Sequence, residues 1–198
     1  MAGEMRLPEP HENSKLFSAE HQAEQELLHD KYQYGTASIE YAPLITQIVN
    51  TMGVTHLLDY GCGKSCNLAK HLKPDHKLTY QAYDPGVPRF SKPPLPAQFV
   101  ACIDVLEHIE PDCIEAVLDD LCRLTEGAAF LSIDTAPAQK VLSDGRNAHL
   151  IQQDLRWWLP RLWDRWDIQT VQQTTEHSFY VIAMAKVRLE AKDGKALV

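Results

Sequence analysis

The chain has 198 residues, of which 44% are hydrophobic and 23% charged, and its formal net charge is −8. This length suits one domain with its own core, and the acidic balance does not favour a nucleic-acid surface, which usually carries a basic patch. No apolar run approaches the roughly 20 residues of a membrane span, and no secretory leader is recognisable. We therefore predict a cytoplasmic protein without a membrane or nucleic-acid partner.

Five cysteines are present, and an odd count in such a chain argues against a disulfide framework. The one arrangement that suggests a metal combines Cys62 and Cys66 with His71. Its CxxxC spacing is poor for structural zinc, and no second Cys/His pair complements it. We predict no metal.

Apolar residues at helical spacing predict two N-terminal helices, over residues 18–28 and 36–52, which could cap a cofactor pocket. Strands and helices then alternate, with strands predicted at 55–60, 77–83, 98–103, 128–133, 168–172 and 178–185. This alternation predicts an α/β fold with a doubly wound, mostly parallel sheet and helices on both faces.

We expect one domain at 18–190, in which residues 18–53 form the N-terminal helices and residues 54–190 the core. Flexible tails are expected at 1–17 and 191–198. The sequence gives no oligomeric state.

Residues 57–65 read LLDYGCGKS, a short apolar strand that ends in an acid and turns through two glycines. Glycine permits positive φ and lacks the Cβ that would obstruct a ligand near the backbone. In open parallel sheets, ligands bind at this edge of the sheet. The pattern therefore predicts a ligand site after the first strand.

Asp84 ends the next predicted strand, where doubly wound folds hold ribose hydroxyls. Acids flanking a glycine turn suit a ligand with a ribose, a cationic end and no phosphate. A dinucleotide is disfavoured because Cys66 stands at the third glycine of the GxGxxG pattern.

LLDYGCGKS resembles the first motif of class I S-adenosylmethionine-dependent methyltransferases, and YDPG at 83–86 resembles their second. IDVLEHIEPD at 103–112 is similar to the segment found in ubiquinone-biosynthesis and related small-molecule enzymes. The resemblance covers about residues 55–186 and implies a Rossmann-like fold with S-adenosylmethionine as cofactor.

The resemblance also implies residue roles at the first turn. Gly61 and Gly63 would let the backbone pass beneath the methionine part of the cofactor, with Cys62 between them. Asp59 would hold the turn and attract the cofactor's amino group.

Roles follow for the second and third motifs. Asp84 would accept from the ribose hydroxyls, and Pro85 would lie against the adenine. Asp104, Val105 and Leu106 would line the pocket near the sulfonium.

The sequence departs from the family pattern in two places. Ser65 replaces the third glycine of the first motif. Only 13 residues, rich in proline, separate Asp84 from Gln98, where the family usually has a helix and a strand. We therefore expect a sheet trimmed of one edge strand.

Residues 134–152 form a long segment without a helix or strand pattern, and such loops are usually functional or disordered. His149 lies where similar enzymes often place a histidine at the acceptor site. His149 and His108 are candidate bases, although His108 also suits a packing role. Arg146 and Lys140 could hold an anionic acceptor group.

The sequence thus predicts an S-adenosylmethionine-dependent methyltransferase with an unidentified small-molecule acceptor. Two alternatives remain at this stage: a nucleotide or nucleic-acid methyltransferase, and a non-catalytic protein that binds S-adenosylmethionine.

Overall fold

The computed structural model of the chain describes residues 16–31 and 36–186. The predicted tail at 191–198 and most of the one at 1–17 lie outside these ranges. Leu16 and Phe17 belong to the predicted N-terminal tail, but Leu16 is buried in the core and Phe17 packs against it. The ordered domain thus begins before residue 18.

The described chain folds into five α-helices, six strands and two short 3₁₀ turns, at Pro88–Phe90 and Leu106–His108. The helices are α1 Ala19–Lys31, α2 Ala37–Met52, α3 Asn67–His71, α4 Ile114–Leu124 and α5 Leu155–Arg165. The strands are β1 His56–Tyr60, β2 Thr79–Tyr83, β3 Ala97–Ile103, β4 Thr125–Asp134, β5 Trp166–Gln173 and β6 Ser178–Ala185.

The six strands form one sheet in the order β2-β1-β3-β4-β6-β5. The pairs β1–β2, β1–β3 and β3–β4 are parallel, whereas β6 runs antiparallel to both β4 and β5. The predicted mostly parallel α/β sheet is confirmed. Because the chain moves from β1 to β2 on one side and then to β3 on the other, the order reverses between β1 and β3, where open sheets bind ligands.

Helices cover both faces of this sheet. On one face, Leu118 and Leu121 of α4 and Trp158 of α5 are fully buried in a shared apolar cluster. On the other face, Ile45 and Val49 of α2 pack in a second cluster against strand residues. The sheet core therefore lies between two helix layers, as in other doubly wound folds.

Several strand bounds differ from those predicted; β5, for example, spans Trp166–Gln173 rather than residues 168–172. Helix α4 begins only at Ile114, because residues 111–113 form a turn whose Cys113 N–H donates to the Glu110 carbonyl at 2.8 Å. Strand β4 begins at Thr125, directly after α4, because its ladder with β3 extends back to pair Thr125 with Ala97.

Strand β2 is an edge of the sheet, and the proline-rich segment after it forms no strand. The side chain of Gln81 in β2 donates to the Leu95 carbonyl at 2.9 Å and accepts from the Leu95 N–H at 3.0 Å. The segment therefore lies along β2 without joining its ladder. This confirms the predicted loss of one edge strand.

Asp59 lies buried in β1, with 2% of its surface exposed. Its carboxylate accepts a hydrogen bond from the Tyr80 hydroxyl on the neighbouring strand β2. Burial raises the pKa of Asp59 to about 7, and this hydrogen bond only partly opposes the effect. Folding therefore favours the protonated acid.

Gly61 follows β1 with a φ of 82°, and a Cβ built there would lie 2.3 Å from Cγ2 of Val105. Gly53, after α2, has a φ of 63° but nothing within 4 Å of such a Cβ. The two glycines share a left-handed backbone and differ in steric room.

We expect Gly61→Ala to lower the free energy of unfolding by about 2–4 kcal/mol, because backbone strain adds to the clash with Val105. Gly53→Ala, which brings strain alone, should cost about 1 kcal/mol. Urea unfolding of both variants measures the difference. Equal losses would contradict the close contact between this turn and Val105.

We also expect Asp59→Asn to change how stability depends on pH. The carboxyl ionises near 3.8 in the unfolded chain and near 7 in the folded one, so it lowers native stability as pH rises between these values. Relative to Asp59→Asn, the unmodified chain should lose up to about 3 kcal/mol of unfolding free energy between pH 5 and pH 8. Urea unfolding at both pH values measures this, and a constant difference would refute it.

Candidate functional site

A cavity of about 600 Å³ opens at the carboxyl ends of β1 to β4, beneath α1. One part is lined by the turns that follow β1 and β2, and another by the 3₁₀ turn after β3 and the loop after β4. The site residues predicted from the sequence that line this cavity are Gly61, Gly63, Asp84, Pro85, Asp104, Val105, His108 and His149. The fold thus brings eight of the predicted residues together around one space.

The glycine turn is fixed to the end of β2 by backbone and side-chain bonds. The N–H groups of Gly61 and Cys62 both donate to the Tyr83 carbonyl, at 2.7 and 3.1 Å. Asp84 then accepts from the Gly63 N–H through Oδ2 and from the Gly86 N–H through Oδ1, each at 2.9 Å. The carboxylate therefore joins the two turns.

Asp104 lies directly after β3 in a left-handed conformation, with a φ of 51° that non-glycine residues rarely adopt. Ser132 of β4 holds it there, since its hydroxyl donates to Asp104 Oδ1 at 2.5 Å and its carbonyl accepts from the Asp104 N–H at 3.2 Å. Strain held in this way is common at functional sites. It directs Asp104 and Val105 into the cavity.

Four predicted site residues do not line this cavity: Asp59, Cys62, Leu106 and Arg146. Asp59 lies behind the glycine turn against Tyr80, and Cys62 and Leu106 are buried. Burial also raises the pKa of the Cys62 thiol. These three residues therefore lie outside the cavity lining.

Arg146 lies in the loop between β4 and α5, where its guanidinium donates to Asp144 Oδ2 at 2.6 Å. Both side chains are substantially exposed. Lys140 from the same loop does line the cavity, and burial lowers the pKa of its ammonium group. Lys140 is therefore the better placed of the two cations to meet a ligand.

Helix α1 covers the cavity and is tied to three parts of the site. Gln22 donates through its side chain to the Pro85 carbonyl at 3.1 Å. Ser18, just before the helix, donates to the Glu110 carboxylate from both its N–H and its hydroxyl, at 2.7 and 2.8 Å. Glu24 accepts from the N–H of Ser143 at 2.9 Å. The predicted capping of a pocket by the N-terminal helices fits this arrangement.

The loop between β4 and α5 contains no helix or strand, as expected, but hydrogen bonds order it. Asn147 accepts from the N–H groups of Ala138 and His149, each at 2.9 Å, and donates to the Ala138 carbonyl at 2.8 Å. The His149 Nδ1 lies 2.6 Å from the Ala136 carbonyl. Because a carbonyl only accepts, Nδ1 carries the hydrogen, which leaves the lone pair of the neutral ring on Nε2.

His108 stands beside His149, with ring centroids 4.7 Å apart and planes at 83°. Its Nδ1 donates to the Ala148 carbonyl at 2.8 Å, so the same argument places its neutral-ring lone pair on Nε2. Burial, followed by the nearby His149, lowers the pKa of His108 to about 3. The ring is therefore neutral at physiological pH.

Two residues at this end of the cavity escaped the sequence analysis. Glu107 is fully buried, and burial raises its pKa well above the ordinary value. Its Oε1 accepts from the Asp134 N–H at 3.0 Å, whereas its Oε2 has no hydrogen-bond partner. His21 of α1 is also buried, and its Nδ1 lacks a partner. No spacing in the sequence marked either residue, because Glu107 reaches the cavity through the turn after β3 and His21 through helix α1.

The structure also brings together a group of possible metal ligands that no spacing in the sequence indicates: Glu107, His108 and His149. One side-chain oxygen or nitrogen from each lies within 4.8 Å of the other two. These are the ligand types of a divalent metal site. Within residues 16–31 and 36–186, the Cys62, Cys66 and His71 combination does not form such a group.

Solved structures share this fold at low sequence identity. A 1,6-didemethyltoxoflavin-N1-methyltransferase from Burkholderia thailandensis, with bound 1,6-didemethyltoxoflavin and S-adenosylhomocysteine, matches with a TM-score of 0.60 and 15% identity over 92% of this chain and 93% of that chain. A magnesium protoporphyrin IX methyltransferase from Synechocystis PCC 6803, with bound S-adenosylhomocysteine, gives 0.51 and 15% over 86% and 96%.

An O-methyltransferase family protein from Burkholderia thailandensis matches with a TM-score of 0.56 and 13% identity. That match covers 85% of this chain but 63% of the other, so this chain spans less than two thirds of that protein. No curated protein sequence matches the chain. Within the described residues, no helix is both long and apolar enough to cross a bilayer.

The model of a methyltransferase-domain family matches residues 15–183. This range includes both glycines of the first turn, Asp84 and the two cavity histidines. The match confirms the methyltransferase resemblance, while the ubiquinone-biosynthesis branch stays a prediction. The chain belongs to this methyltransferase family.

Proposed function

We propose that the cavity binds S-adenosylmethionine and that the enzyme transfers its methyl group to a small molecule beside His149. The observation that carries this proposal is the single cavity that joins the glycine turn and Asp84 to the two histidines. A donor and an acceptor held in one enclosed space can react without diffusing together, which supplies much of the rate enhancement in such transfers.

The residues at the donor end fit this methyl donor. Gly61 and Gly63 present backbone without side chains, and both have positive φ. Each oxygen of Asp84 accepts one backbone N–H, which holds the carboxylate at the end of β2, where doubly wound folds bind ribose hydroxyls. A volume of about 600 Å³ lies within the range typical of ligand pockets. Pro85 supplies an apolar surface beside Asp84 for the adenine.

The chemistry asks little of the protein beyond alignment and exclusion of water. S-adenosylmethionine supplies a methyl group that is bound to a positively charged sulfur. This sulfur is a good leaving group, because it becomes a neutral thioether. Val105 and the Asp104 backbone wall the cavity between the glycine turn and the histidines, where they align the two reactants. The acceptor atom forms its bond to the methyl carbon as the carbon–sulfur bond breaks, and the bonding pair stays on sulfur.

A hydroxyl or protonated amine acceptor must also lose a proton. His149 offers Nε2 for this purpose, because its Nδ1–H is committed to the Ala136 carbonyl. Lys140 lines the same part of the cavity and can hold an anionic group of the acceptor. Two proteins with a similar fold are named as methyltransferases of 1,6-didemethyltoxoflavin and of magnesium protoporphyrin IX, which are small molecules. We place this activity in the cytoplasm, in keeping with cysteines that form no disulfide in the described chain.

We expect S-adenosylhomocysteine to bind the purified chain at one site, and Asp84→Asn to weaken that binding by about 10- to 100-fold. The amide loses the charge that strengthens the ribose bonds, and it cannot accept from both Gly63 and Gly86 as the carboxylate does. Isothermal titration calorimetry measures both affinities. The matched control is Asp112→Asn, which removes the same charge from an exposed position.

Unchanged affinity in Asp84→Asn would remove Asp84 from the donor site. The wider proposal fails if the folded, unmodified chain shows neither heat nor thermal stabilisation with millimolar S-adenosylhomocysteine. Circular dichroism of each variant separates lost binding from lost folding.

A further inference from the structure

Three polar side chains converge on the acceptor end of the cavity. The two histidine rings and the Glu107 carboxylate bring their ligand-type atoms within 4.8 Å of one another. They come from the 3₁₀ turn after β3 and from the loop after β4, and all three line the cavity. A tetrahedral metal with bonds of about 2.1 Å holds its ligand atoms about 3.4 Å apart, so small side-chain rotations would close this group around an ion.

Both rings are already oriented as metal ligands usually are. His108 and His149 each donate Nδ1–H to a backbone carbonyl, of Ala148 and Ala136, at 2.8 and 2.6 Å. Metal-binding histidines commonly make this bond, because it fixes the ring and places the lone pair on Nε2.

Glu107 supplies an independent observation. Its side chain is fully buried, and Oε2 has no hydrogen-bond partner although Oε1 accepts from the Asp134 N–H. A buried carboxylate oxygen left unsatisfied is costly, and a cation removes that cost. Asp104 and Asp134 line the same cavity and add negative charge, whereas Lys140 is the opposing cation there.

We propose that Glu107, His108 and His149 bind one divalent transition-metal ion whose remaining coordination positions face the cavity. Two imidazoles and one carboxylate suit Zn²⁺, Co²⁺ or Mn²⁺ better than Mg²⁺, which prefers oxygen ligands. Three protein ligands with open positions are the pattern of catalytic sites rather than closed structural ones.

Given the methyltransferase function proposed above, this ion specifies the acceptor class. An acceptor hydroxyl that coordinates the ion releases its proton to water more readily, since a bound cation lowers the pKa of oxygen ligands. The resulting oxyanion forms the new carbon–oxygen bond as the carbon–sulfur bond breaks towards sulfur. The acceptor is therefore an oxygen nucleophile, and metal binding replaces His149 in the role of base.

The test is titration of the full chain, stripped of metals with a chelator, with Co²⁺ followed by its visible absorption. One equivalent should bind, and both Glu107→Gln and His149→Asn should weaken binding on the order of 100-fold or more. His177→Asn is the matched control, because it removes an exposed histidine outside the group. Zn²⁺ should displace the bound Co²⁺.

Failure of the unmodified chain to bind Co²⁺ or Zn²⁺ at micromolar concentrations would overturn the metal site. Binding that both variants retain would also overturn it, and would assign the metal to other cysteines or histidines. Glu107→Gln keeps the side-chain shape and carries no charge, so it should fold without metal. Its thermal stability should no longer rise on adding Zn²⁺.

Titration with S-adenosylhomocysteine in the presence of chelator distinguishes the two proposals. Donor binding without metal binding would retain the methyltransferase function and reject the metal site. Metal binding without donor binding would retain the site and reject the function from which the acceptor class follows.

Discussion

The carboxylate of Asp84 is the interaction on which the donor end of the cavity depends. Its two oxygens accept from the Gly63 N–H after β1 and from the Gly86 N–H after β2. Charge-assisted bonds of this kind are stronger than neutral ones and fix the carboxylate in one orientation. Together with the bonds from Gly61 and Cys62 to the Tyr83 carbonyl, they make two turns into one rigid unit. The carboxylate that we propose as the ribose-binding group is thus held in place by the fold itself.

The two ends of the cavity differ in how they are built. The donor end stands on strand termini, where the sheet order reverses and where Ser132 holds Asp104 in its strained conformation. The acceptor end is formed by a loop, a 3₁₀ turn and α1, joined by side-chain bonds such as that from Gln22 to Pro85. Function is often varied in loops on a constant scaffold. This division explains why a fold shared with other methyltransferases does not identify the methyl acceptor.

The sequence indicated that the turns after β1 and β2 meet at one edge of the sheet, because local chemistry determines these turns. A strand, an acid and two glycines specify a turn, and Asp84 ends the following strand, so their meeting follows from parallel pairing of β1 and β2. The acceptor end depends on contacts between distant residues. His108 bonds to Ala148, 40 residues later, through a loop whose path no periodicity encodes. The sequence also does not show where the side chain that follows the left-handed Gly61 points. Cys62 is therefore predicted in the site, but it is buried and does not line the cavity.

The distribution of unsatisfied polar atoms points to the acceptor end as the place where this fold gives up stability. Among the described residues, three buried side-chain atoms lack partners: His21 Nδ1, Glu107 Oε2 and Trp166 Nε1. Two of these residues line the cavity, and Trp166 does not. Polar groups that violate the rules of packing tend to mark functional sites, and the unsatisfied Glu107 Oε2 lies where we propose that a metal ion binds.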